Sequence, residues 1–235
     1  MMVMEELINR SPLRVLESAM HGGLGKGNIG VLASRKGVGK TACLVQIATD
    51  KLFQKKAVIH VSYSSRVDHI INWYEEIFRE VSKGLNLEAA AGIHDESIKN
   101  RVIMNFSQEG TRTEQVLRSL EALIRDGRFP AETIIVDGFS FPQSAPGDIQ
   151  RFKEFAVRMS SEIWFSASLK GAEPLFDERG NPRELDCCLD QIDVLITLRH
   201  LNERVQLRLV REHGVHSPAD LSLTLDPKTL LIAEF

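Results

Sequence analysis

Cysteine is scarce in this 235-residue chain: Cys43 stands alone, and Cys187 and Cys188 are adjacent. Three cysteines exclude a disulfide scaffold, and no CxxC or Cys/His pair has zinc-ligand spacing. Reduced thiols in a cytoplasmic setting are expected. The histidines share no metal spacing either, and His60, inside an apolar run, reads as a core residue. No apolar run approaches the roughly 18 residues that a membrane span needs. The first twenty residues carry Glu5 and Glu6 early, with no basic segment leading into an apolar core, which is not the pattern of a signal peptide. Excess charge is missing too. Lys and Arg number 29 against 32 Asp and Glu, a net charge of −3, so no overall pull toward nucleic acid or an anionic membrane is expected. Sixteen glycines and eight prolines are too few for a fibrous or disordered chain.

What is present is an alternation of short apolar runs with longer helical patterns. The sequence predicts strands over 28–34, 57–62, 101–106, 133–137 and 163–168. It predicts helices over 41–52, 67–81, 113–125 and 148–161, with Thr113 as a cap. Alternation of this kind implies an α/β fold, a mostly parallel sheet flanked by helices. The tail changes rhythm. Short apolar segments at 194–198, 205–210, 221–225 and 230–233 read as an antiparallel C-terminal extension of the same sheet. No composition break marks a linker, so residues 1–235 read as one domain. Within it, 1–27 is an N-terminal lead-in, 28–168 the parallel core, 170–184 a mobile loop around Gly180-Asn181-Pro182, and 193–235 the antiparallel strands.

The richest segment is Ser34-Arg35-Lys36-Gly37-Val38-Gly39-Lys40-Thr41, followed by Ala42. It follows a predicted strand and opens a predicted helix, the setting a phosphate-binding loop requires. Glycines let backbone N–H groups curl around a phosphate, and the helix N-terminus adds its positive dipole end. Lys40 is placed to reach the β- and γ-phosphates, and Thr41 to ligate Mg²⁺. The strict G-x-x-x-x-G-K-[ST] pattern is broken at its first position, where Ser34 stands. Serine suits that position if φ is negative there. Arg35 and Lys36 are extra cations that either meet phosphate or remain solvated. A phosphate loop calls for an apolar strand ending in an acid, and Ile134-Ile135-Val136-Asp137 supplies one. Asp137 would hold Mg²⁺ directly or through water. ATP and Mg²⁺ are the cofactors this reading implies.

From about Leu13 to its end the chain resembles the RecA superfamily, most closely the KaiC-like, RadA-like and DnaB-like branches. The resemblance rests on Leu16, His21-Gly22-Gly23-Leu24-Gly25-Lys26-Gly27, Gly37-Val38-Gly39-Lys40-Thr41 and Gln46-Ile47-Ala48. In the tail it rests on Asp193-Val194-Leu195-Ile196 and the segment Leu207–Gly214. It implies a RecA-like P-loop NTPase core that assembles with copies of itself or with a related RecA-like subunit. Two departures bear on activity. The family's catalytic glutamate follows the second strand, but Ser64 and Ser65 occupy those positions here. A serine hydroxyl is a poor base, and losing a general base slows the chemical step by about 10²–10⁴-fold. Glu75 and Glu76 fall inside the following helix. The lysine and arginine that reach a neighbour's γ-phosphate in the KaiC-like branch are matched by Arg211 and His213, so Arg211 is a candidate finger across an interface. Ser166 and Ser168 are candidates for the γ-phosphate sensor that the family places near the end of the fifth strand; strand-end serines satisfying a turn are the other reading.

Many family members bind DNA through loops that correspond here to 138–148 and 170–184. The first holds no Lys or Arg. The second carries Lys170, Arg179 and Arg183 against four acids. Phosphate backbones demand clustered cations, so nucleic acid is disfavoured as a partner. Phe139 and Phe141 read as loop anchors or partner contacts rather than base-stacking platforms. The sequence therefore favours an ATP-binding protein with weak or absent hydrolysis, whose nucleotide state controls assembly or partner binding. An active ATPase of the recombinase or helicase class is the alternative, and a small-molecule kinase a more distant one.

Overall fold

The computed structural model describes residues 2–63, 68–83, 85, 87–171, 173–201, 204–226 and 228–234. Two short helices, α1 (Met2–Asn9) and α2 (Leu13–Ala19), precede the central strand β1 (Ile29–Arg35). Then come α3 (Lys40–Phe53), β2 (Ala57–Ser62), α4 (Asp68–Val81), α5 (Leu87–Lys99) and β3 (Arg101–Asn105). The core closes with α6 (Thr113–Arg125), β4 (Ala131–Asp137), α7 (Asp148–Met159) and β5 (Glu162–Leu169). A 3-10 helix over Arg183–Gln191 leads into β6 (Val194–Leu201), β7 (Arg204–Glu212), β8 (Val215–Leu225) and β9 (Ile232–Glu234).

The nine strands form one sheet in the order β3-β2-β4-β5-β1-β6-β7-β8-β9. The six from β3 to β6 run parallel, and β7, β8 and β9 add on antiparallel. The parallel strands are apolar along their length because helices cover both faces. Leu32, Val58, Ile135 and Trp164 pack toward α2, α3 and α4 on one face. Val31, Ile59, Ile134 and Phe165 pack toward α6 and α7 on the other. Gly30 lies beside Trp164 in the β1/β5 register, and a side chain there would overlap the indole ring.

The C-terminal end of β1 is where the topology reverses. The chain leaves β1 for β2 on one side, and β5 is followed by β6 on the other, the kind of switch point at which open α/β sheets bind ligands.

The strands and helices read from the sequence are present, with ends moved by a few residues. At α6, Arg112 is the cap and Thr113 the first helical residue. The Gln115 side chain accepts the Arg112 N–H at 2.9 Å. Five elements went unread in the sequence: the two helices of the lead-in, helix α5, a 3-10 turn over Phe141–Gln143, and the 3-10 helix before β6. Among the described residues no helix is long and apolar enough to cross a membrane.

Candidate functional site

The segment between β1 and α3 turns on two glycines in the left-handed region, Gly37 at φ +83° and Gly39 at φ +112°. Gly39 caps α3, and its carbonyl accepts the Cys43 N–H at 3.0 Å. Ser34 needs no such freedom. It is still within β1, outside the left-handed region and 1% exposed. Serine at the first loop position is therefore a conformational match, and it adds a hydroxyl.

That hydroxyl is used. Lys40 is 6% exposed. Its amine donates to the Ser34 carbonyl at 3.1 Å, the Ser34 Oγ at 3.1 Å and the Arg35 carbonyl at 2.8 Å. The ammonium is thus held by three oxygens of its own loop. Burial pulls its pKa down from 10.5 to about 8, and the nearby Asp137 carboxylate opposes that shift. Cys43, one turn further along α3, is fully buried, and its thiol is pushed up to about 12. That keeps it an inert core residue.

The next residue, Thr41, donates its hydroxyl to Asp137 Oδ2 at 2.9 Å. Ser166 donates to the other oxygen, Oδ1, at 2.6 Å, and its own Oγ accepts the Gly138 N–H at 2.9 Å. Asp137 is 9% exposed at the end of β4, one strand from β5 and two from β1. The loop 34–41 with its Thr41 hydroxyl, the Asp137 carboxylate of β4 and the Ser166 hydroxyl of β5 thus meet at one end of the sheet. Thr41 and Asp137 offer adjacent oxygen donors of the kind magnesium accepts, the remaining ligands being phosphate oxygens and water in such sites. Among the described residues no three His, Cys, Asp or Glu side chains gather as a metal cage.

The other residues singled out in the sequence divide. Val38 and Ala42 are buried supports of the loop. Arg35 pairs with Glu173, and Lys36 is exposed. Ser168 stands opposite Ser34 in the β1/β5 register and borders a cleft with Lys36, whereas Ser166 is bonded to Asp137. Of the two serines, then, only Ser166 touches the acid. Ser64 and Ser65 lie outside the described residues. Glu75 is engaged with His94 at 2.7 Å and lies 4.0 Å from Arg101, at the start of β3, and Glu76 is exposed.

Arg211 and His213 sit at the opposite end of the sheet from the loop. Arg211 is paired with Leu195 near the start of β6, and its Nε donates to the Ile192 carbonyl at 3.0 Å. His213 Nε2 donates to the Met20 carbonyl at 3.1 Å. Neither reaches the loop of its own chain, so any action on a phosphate would be on that of another subunit. Phe139 and Phe141 are buried in a cluster of edge-to-face rings with Phe165, and Phe152 and Tyr63 pack against Phe139. They anchor their loop.

Sequence reasoning missed Glu173 as the partner of Arg35, Leu225 of β8 packed against Gly39, and Gln108, whose amide donates to the Gly138 carbonyl at 2.8 Å. Each is a long-range contact with no local signal. No protein-family model matches this chain, and no curated protein matches it.

Proposed function

We propose that this protein binds ATP with magnesium on the loop 34–41, in a RecA-like P-loop core related to the KaiC, RadA and DnaB branches, and that the nucleotide state controls assembly or partner binding. The observation that carries this reading is the Thr41–Asp137 hydrogen bond beside a buried Lys40 amine. The Lys40 ammonium is held by three oxygens of its own loop, and a cation fixed there beside the N-terminus of α3 is placed to meet a phosphate. The central placement of β1, with the parallel order continued by an antiparallel tail, supports the RecA-like part.

In this reading the loop N–H groups and Lys40 hold the phosphates. Thr41 and Asp137 hold Mg²⁺, which supplies charge neutralisation, and Ser166 fixes the Asp137 carboxylate. Hydrolysis is weak or absent, because serines stand where the family's glutamate activates water. Arg211 is the candidate contact to a neighbour's nucleotide, a copy of this chain or a related RecA-like subunit being the partner. The setting is cytoplasmic.

The test is light scattering on a sizing column with and without Mg·ATP, with released phosphate measured on the same samples. The parent is expected to change mass or shape with Mg·ATP and to release little phosphate. Lys40→Ala is expected to show neither nucleotide binding nor the change. ATP bound equally tightly by Lys40→Ala would refute the assignment.

A further inference from the structure

Beside the phosphate loop, across the C-terminal ends of β4 and β5, lies a cleft of about 550 Å³. That volume is within the usual range for small-molecule sites, about 300–1,000 Å³. Its apolar part comes from the exposed Pro142 and from the edges of Phe139, Phe141 and Leu169, which are otherwise buried in the core and so fixed in place. Its polar groups are of two kinds. Ser140, Gln143, Gln108 and Ser168 are neutral donors and acceptors. Lys36, from the phosphate loop, and Lys170, just past β5, bring two ammonium groups, and neither has an ion-pair partner among the described residues. One acid, Glu184, borders the same space. Its Oε1 accepts the backbone N–H groups of Lys170 and Gly171, so that oxygen is already engaged.

We propose that this cleft is a second ligand site, for a small organic anion with an apolar or aromatic body. The charge count favours an anion, two free ammonium groups against one engaged carboxylate. The apolar floor of Pro142 and the edges of Phe139, Phe141 and Leu169 favours a body that leaves water readily. The cleft shares Lys36 with the phosphate loop and borders Gly138, the residue after Asp137, so its occupant sits next to the nucleotide site without using Lys40, Thr41 or Asp137. The smaller cleft of about 400 Å³ between α1, α3, α4 and β9 is the poorer candidate for an anion: its cations Arg10 and Lys83 are paired with Glu6 and Glu80, and the buried Asp50 lines it.

The test needs no nucleotide, so it stands or falls separately from ATP binding. The probe is 8-anilinonaphthalene-1-sulfonate, followed by its fluorescence, with N-phenyl-1-naphthylamine as the same ring system lacking the sulfonate. Two exposed ion pairs over an apolar floor are together worth about a tenfold change in Kd. The double variant Lys36→Gln, Lys170→Gln is therefore expected to bind the sulfonate about tenfold more weakly and the neutral probe within about twofold of the parent. Lys56→Gln, Lys99→Gln removes the same charge elsewhere and is expected to leave both affinities unchanged. Binding of the sulfonate that is unaffected by the first pair, or weakened equally by the second, would overturn the proposal. Thermal melting of all three proteins shows whether each is folded.

Discussion

Thr41 and Asp137 are ninety-six residues apart in sequence, yet the hydroxyl of one donates to the carboxylate of the other at 2.9 Å. The contact ties the first turn of α3 to the end of β4, two strands from β1. It also sets two oxygens side by side, one of them charged.

If those oxygens hold magnesium, Asp137→Asn keeps the shape and removes the charge. Affinity for Mg·ATP is expected to fall by about 10–100-fold, the range for losing a charged partner in a polar site. Affinity for ATP in excess chelator is expected to change much less. Calorimetric titration with and without magnesium measures both. Equal losses under the two conditions would mean that Asp137 serves the fold and not the cation.

Lys40 gives a pH signature with two opposite slopes. With its pKa near 8, the amine is mostly neutral above that pH and no longer attracts phosphate. Nucleotide affinity is expected to be flat below pH 8 and to weaken about tenfold by about pH 9. Stability moves the other way. Between 8 and the ordinary value of 10.5 the unfolded chain binds the proton more tightly than the fold does, so this group's contribution rises with pH. Unfolding curves of the parent and Lys40→Met, compared across that window, isolate the second effect; fluorescent-nucleotide displacement gives the first.

The loop was legible in the sequence because its chemistry is local: two glycines, a lysine and a threonine in eight residues after an apolar strand. Buried parallel strands such as Ala57–Ser62 were legible because both faces are covered and every residue but His60 is apolar or small. Helix α5 was not. Its sequence LEAAAGIHDESIK has a glycine at its centre and a weak apolar stripe, with Ile93 buried but Ile98 exposed. The bond between Ser166 and Asp137 needed the β4/β5 register, which no motif records; the sequence offered Ser166 and Ser168 on equal terms. The Arg35–Glu173 pair was equally hidden, since surface charges carry no pairing code.

His60 makes the fold acid-sensitive. It is fully buried in β2, with Nδ1 3.0 Å from the Tyr74 hydroxyl and Nε2 without a hydrogen-bond partner among the described residues. Burial lowers its pKa from 6.5 to about 4, the Asp137 charge resisting and Arg101 adding to the shift. The unfolded chain takes up the proton first as pH falls. Stability present above pH 6.5 is therefore lost progressively down to about 4, on the order of 3 kcal/mol. Urea unfolding at several pH values is expected to show that slope in the parent and a shallower one in His60→Gln.

In the RecA-like reading, a glutamate can be restored where Ser64 and Ser65 stand. The Tyr63 N–H donates to the Asp137 carbonyl at 2.9 Å, so the chain passes beside the proposed magnesium acid immediately before residues 64 and 65. Ser64→Glu or Ser65→Glu is expected to raise phosphate release by about 10²-fold or more in at least one of the two. No gain from either would remove the resemblance-based account of slow turnover.

Gly30 and Gly92 separate packing from backbone preference. Gly30 is flanked in β1 by the Trp164 ring, which is itself fully buried and cannot move aside. Gly30→Ala is expected to destabilise by about 1–3 kcal/mol, the usual penalty of overpacking. Gly92 lies within α5 with open space around it and no left-handed φ. There alanine removes only unfolded-state freedom, and Gly92→Ala is expected to stabilise by about 0.5–1 kcal/mol. Both are read from denaturant midpoints. A neutral Gly30→Ala would mean that the β1/β5 register leaves room beside β1, and the placement of the loop 34–41 relative to Asp137 would then lose its fixed base.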